Sequence, residues 1–142
     1  MKTTQIKELT ADAFAPYGRF SNMINPDTPK IGDAPIEFFR DMIQLDLGTS
    51  TTASFSVCRV EKRPLVVDTS EYHNDCGEGI LPLDSDALIH VAPATPDDIN
   101  SDDVEVFRVP KGTMVMLRPG VWHHAPYAYG NNAANVLIVL PD

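Results

Sequence analysis

Apolar and polar residues alternate along most of the chain in short runs that Pro, Gly and Asp repeatedly interrupt. TASFSVCRV at 52–60 places Phe55, Val57 and Arg59 on one face and Ser54, Ser56 and Cys58 on the other, the period of a β-strand. The following residues to His73 predict a second strand, and EFFRDMIQLDLG at 37–48 predicts an earlier one with one irregular step. GILPL, ALIHVAP, EVFRVP, TMVMLRP, HHAPYAY and ANVLIVL continue the pattern to the C-terminus. About eight or nine short strands without a long helix predict an all-β antiparallel sandwich or barrel. The 12 prolines fall at strand margins, where a residue without a backbone donor does least harm to a ladder. One short helix is expected near the N-terminus, capped by Thr10, stopped by Pro16 and Gly18, attached to the barrel as an appendage and touching its core through Phe14. Residues 21–35 lack either period and predict an irregular arm: an ordinary surface loop, a lid or a dimer-interface segment.

With 142 residues and 43% hydrophobic content the chain can build one core, so a single domain over 1–142 is expected. Within it, 1–36 read as helix and arm and 37–142 as the β-barrel. Eleven basic residues against 20 acidic give 11 − 20 = −9, a balance that argues against nucleic acid as a partner. The acidic excess is C-terminal, concentrated in TPDDINSDDVE at 95–105, which predicts a solvated loop. No run approaches the roughly 18 apolar residues of a membrane span, and the N-terminus lacks the apolar core of a signal peptide. A cytoplasmic protein is therefore expected, with no membrane partner. Cys58 and Cys76 are read most simply as free thiols, with a single bridge or a ligand role for Cys76 as alternatives.

Candidate chemistry gathers in two stretches, EYHNDCGE at 71–78 and RPGVWHHAP at 118–126, which hold three of the four histidines. On a strand Glu71 and His73 project from one face. Asn74, Asp75 and Gly77 supply turn chemistry, so the chain doubles back and brings Glu78 near the pair. His123, arriving after the Pro119-Gly120 turn, completes a cluster of two imidazoles and two carboxylates suited to a borderline divalent metal. His73 bonded to Glu71 as a simple barrel-lining pair is the plainer alternative. Buried carboxylates nevertheless require a cation, a histidinium or a proton. Of the adjacent His123 and His124, only one faces inward on a regular strand, and the spacing from Pro119-Gly120 favours His123. Trp122 and His90 read as packing and strand residues, and Tyr127 as sharing a face with His123. Arg59, two residues from Val57 on the face read as inward, is the first choice for gripping a substrate carboxylate, followed by Arg40, while Arg63 reads as a turn residue.

Glu71-x-His73 followed by Glu78 resembles the first signature of metal-binding cupins, and Gly112, Pro119-Gly120 and His123 approximate the second. LTADAFAPYG at 9–18, EYHNDCGEGILPL at 71–83, IHVAP at 89–93 and GVWHH at 120–124 resemble the ureidoglycolate lyase family of that superfamily across nearly the whole chain. Glu78 stands where that family usually carries Gln, and Tyr72 where it often carries Arg. The resemblance implies a cupin-like double-stranded β-helix, the jelly-roll barrel, with a short N-terminal helix. It also implies a homodimer and the cleavage of ureidoglycolate to glyoxylate and urea.

Under that reading a divalent metal (Zn, Ni, Mn or Fe) is held by His73, Glu78 and His123, with Glu71 as a fourth ligand or the base. Glu71, His73, His124 and Tyr127 are then the catalytic candidates, and the partner is a small carboxylate substrate. Without metal, Glu71 and His73 form the acid–base couple. Another metal cupin acting on a small hydroxy or sugar acid, or a non-catalytic small-acid binding module, are the competing readings, because one fold hosts many chemistries.

Overall fold

The computed structural model describes residues 2–142. In chain order it has β1 (Ile6–Glu8), helix α1 (Ala11–Phe14), β2 (Gly18–Asn22), β3 (Lys30–Ile31), β4 (Phe38–Phe39) and β5 (Ala53–Val60). These are followed by β6 (Glu78–Pro82), β7 (Ala87–Val91), β8 (Glu105–Val109), β9 (Thr113–Leu117), β10 (Tyr127–Ala128) and β11 (Ala134–Pro141). One sheet has the order β2-β9-β6-β11-β5 and the other β1-β8-β7-β10. Two isolated bridges, Glu71 with His123 and Ala92 with Trp122, lie outside these strands. From β5 onward the chain passes repeatedly between the sheets, which makes a double-sheet jelly roll of the cupin kind.

The alternation that predicted strands also decides what fills the space between the sheets. Ile80, Val115, Leu117 and Val136 from one sheet meet Ile89, Val91, Phe107 and Val109 from the other in one buried cluster. Strand β9 shows the strict buried–half-buried alternation of a strand with one core face.

Three expectations are corrected. First, the barrel does not begin at 37: β1 pairs in parallel with β8, and β2 pairs with β9. Phe14 of helix α1 reaches the core as expected, fully buried and edge-on to the rings of Tyr17, Phe20 and Phe107, but with β1 and β2 on either side of it paired into the sheets the helix is not an appendage. Thr10 caps it as expected, its hydroxyl accepting from the Ala13 amide. Second, 37–48 forms only the two-residue β4, since Asp41 adopts a left-handed backbone with φ of 55° that no regular strand accepts. Third, residues 61–70 form no strand. They run as an exposed strap that includes Pro64, which lacks a ladder donor.

Candidate functional site

The Glu71–His123 bridge joins the two sequence stretches. The Glu71 amide donates to the His123 carbonyl at 2.6 Å, and the His123 amide donates back to the Glu71 carbonyl at 2.8 Å. Ser70 adds its hydroxyl to the same His123 carbonyl at 3.3 Å. Residue 120 needs glycine for its turn, with φ of +87°, and its amide donates to the His73 carbonyl at 2.7 Å. The Pro119-Gly120 turn thus anchors His73 before delivering His123. Past the bends at 74 and 75, β6 opens with Glu78 on the inward parity of Ile80, so its carboxylate is buried in the barrel.

Four sequence-predicted residues are brought together there. One ligand atom from each of Glu71, His73 and His123 lies within 4.8 Å of the others. A single oxygen of Glu78 sits 3.2 Å from His123 Nε2 and 3.4 Å from His73 Nε2, and the two rings are 5.2 Å apart. His123 Nδ1 donates to the Val121 carbonyl at 2.9 Å, which leaves Nε2 to face the cluster. His73 Nε2 is buried without a hydrogen-bond partner. Two ring nitrogens converging on carboxylates, one without a donor or acceptor of its own, make a donor set that fits a divalent cation.

Electrostatics set up the alternative occupant, a proton. Burial pushes the His123 pKa down, but the hydrogen bond and charge of Glu78, the Val121 carbonyl and the Glu71 charge outweigh it, and the net shift is upward. Cys76 is free, as is Cys58. Burial first, then Glu78, Asp75 and Asp46, raises the Cys76 thiol, which disfavours the thiolate a metal needs. The cluster opens through His73 onto a cavity of about 360 Å³ whose walls include Asp75, Cys76, Thr49 and Asp142.

The other predicted residues lie elsewhere. Arg59 is on the exposed face of β5 and donates through Nε to Asn135 at 2.8 Å, so it turns away from the barrel. The parity of 52–60 was right, but the face bearing Phe55 and Val57 is the outer one: those residues are 68% and 57% exposed. Arg40 is exposed, its Nε 3.9 Å from an Asp41 carboxylate oxygen. His124 projects opposite to His123 and lines a second cavity with Tyr127. The bend at Ala125 breaks the parity that would have put Tyr127 beside His123. Tyr127 pairs with Leu88 and donates its hydroxyl to the Val66 carbonyl at 2.7 Å.

Trp122 packs, its ring edge-on to Tyr72 and its Nε1 donating to Thr95 at 2.9 Å. His90, read as a plain strand residue, is almost wholly buried with Nε2 3.1 Å from the Ser70 hydroxyl. It thereby touches the residue that supports the bridge. Only the apolar run around it in ALIHV hinted at such burial.

Known proteins resemble this chain throughout its length. The family model described as Ureidoglycolate lyase matches residues 1–141. A ureidoglycolate lyase of Burkholderia mallei is 30% identical over 92% of this chain and 78% of its own. One from Pseudomonas syringae pv. tomato is 28% identical over 87% and 75%. Among solved structures, RmlC from Streptococcus suis, in complex with dTDP-D-xylose, aligns with a TM-score of 0.46 and 11% identity over 82% of this chain and 62% of that one. The family match spans nearly the whole chain, the cluster-building stretches 71–83 and 120–124 included, and this chain belongs to the ureidoglycolate lyase family.

Proposed function

We propose that the protein cleaves ureidoglycolate to glyoxylate and urea at the Glu71, His73, Glu78 and His123 cluster, and that the cluster holds a divalent metal. The observation that carries this reading is the partnerless, buried Nε2 of His73 facing the Glu78 oxygen it shares with His123. His73 and His123 would hold the ion through Nε2, with Glu78 and Glu71 supplying oxygen. A bound divalent ion would supply Lewis acidity and a counter-charge for the substrate's hydroxyl and carboxylate oxygens.

The chain's own residues divide the remaining work. Glu71 is exposed while Glu78 and His123 are buried, which makes it the carboxylate of the cluster best placed to take a proton from an incoming substrate. It removes the hydroxyl proton; the oxygen's electron pair forms the new carbonyl, and the C–N bond breaks with its electrons leaving on nitrogen. The same carboxylic acid then returns the proton to the departing urea nitrogen, so the cycle closes without net proton uptake. Glu78 and the Val121 carbonyl hold the His123 ring from both ends, and the Gly120 amide holds the backbone of His73. His124 and Tyr127, on the far side of the bridge, take no part in this scheme.

The test is to incubate the protein with ureidoglycolate and measure urea and glyoxylate together. Equimolar release, falling by about 10²–10⁴ in Glu71→Gln with unchanged folding, is the expected outcome. Release by Glu71→Gln at the parent rate would remove Glu71 from the role, and no release by the parent would remove the substrate.

A further inference from the structure

The exposed strap at 61–69 borders an open cavity of about 430 Å³ on the outer side of the barrel wall, and this cavity shares no lining residue with the one at His73. Its polar walls are Arg63, Asp68, Thr69, His124 and Tyr127. The strap is tied down there by the Tyr127 hydroxyl on the Val66 carbonyl at 2.7 Å.

Arg63 is held in a particular pose. Its guanidinium carbon lies 3.8 Å above the Tyr127 ring, and Nη1 donates to the Pro126 carbonyl at 2.9 Å. Among the described residues no carboxylate lies within 4.0 Å of Arg63, so its guanidinium is oriented by a ring and a carbonyl and not by an ion pair. Its remaining N–H groups form the planar fork that matches a carboxylate. His124 adds a ring that can donate, whereas Asp68 lines the same cavity with an acceptor, itself bonded by the Thr69 hydroxyl at 3.2 Å. The walls therefore want an acceptor group from one part of a ligand and a donor from another.

We propose that this outer cavity is a second binding site, for small carboxylic acids that also carry an N–H donor, with Arg63 taking the carboxylate and Asp68 the donor. Amino acids and ureido acids share this chemistry, and the two sources are separable. The proposal stands apart from the catalytic reading, since no residue of the inner cluster contributes.

The experiment titrates the full protein with N-carbamoylglycine, glycine and acetate while following the His124 ring and the Thr69 amide by NMR. Saturable shifts are expected with N-carbamoylglycine or glycine, the stronger of the two naming the source, and binding of acetate at least 10-fold weaker. Arg63→Gln should weaken the better ligand at least 10-fold; Asp68→Asn should weaken it while leaving acetate unchanged. His73→Ala should retain the outer-site response, which separates this proposal from the inner site. Acetate binding as tightly as the others, an unchanged affinity in Arg63→Gln, or shifts confined to His73 and its neighbours would each overturn it. Arg63 and Asp68 are both exposed, and a preserved amide spectrum in either variant confirms that the fold is intact.

Discussion

Glu78 is the residue on which the inner cluster turns, because one of its oxygens faces both imidazoles from a buried position. In metal-free protein its charge keeps the His123 proton on above the ordinary pKa of 6.5. The stability from that pair is fully present below pH 6.5 and is lost as pH rises through the raised folded value. Glu78→Gln should therefore lower the His123 pKa, measured from its ring resonances. The variant should cost about 1–3 kcal/mol of metal-free stability near pH 6 and less near pH 9, where the parent's own carboxylate faces a neutral ring. A larger loss at the higher pH would contradict the pairing.

His90 has the opposite sign. Burial, then the charges of His123 and His124, pushes its pKa down to about 4. Between about pH 6.5 and 4 the unfolded chain binds a proton there that the folded chain refuses, so stability falls on acidification by up to about 3 kcal/mol. Urea unfolding at pH 7, 5.5 and 4.5 should show a shallower acid loss in His90→Gln than in the parent. Equal slopes would mean that His90 is not held neutral.

Among the elements, the turns carry the site. Gly120 occupies the left-handed region, and a Cβ there would sit 3.0 Å from the Cβ of Ala94. Gly120→Ala should cost about 1–2 kcal/mol from the backbone alone and loosen the hydrogen bond to the His73 carbonyl, so metal affinity should fall with no ligand removed. An unchanged affinity, measured by competition with a chelator, would show that the turn does not position His73.

The same elements show what was legible in the sequence. The short segments at 78–82, 87–91, 105–109, 113–117 and 134–141 became strands because each has a partner on either side. The convergence of Glu71, His73, Glu78 and His123 was legible because turn residues and strand parity act over a few residues. Arg59 and Tyr127 went wrong for a common reason. Parity tells which side chains share a face and not which face looks inward, and one bend at Ala125 resets the count. The strands β1 and β2 were hidden because IKE and GRFSN gain their partners from β8 and β9, about a hundred residues away.

At the scale of the whole molecule, the jelly roll places two chemically different spaces on the two sides of one wall. The Glu71–His123 bridge is their partition: His123 faces the inner cluster and His124 the outer cavity, and Ser70 links the bridge to buried His90. No helix among the described residues is long and apolar enough to cross a membrane. The inner side gathers carboxylates and imidazoles in a protein already at −9, and a cation is the simplest compensation for that charge.

The most direct measurement is elemental analysis of protein purified without a metal-affinity tag, together with its His73→Ala and His123→Ala variants. Near-stoichiometric divalent metal is expected in the parent and its loss in both variants, each of which removes one converging nitrogen. A parent that stays metal-free after incubation with divalent ions, or variants that retain the ion, would contradict the cluster as a metal centre.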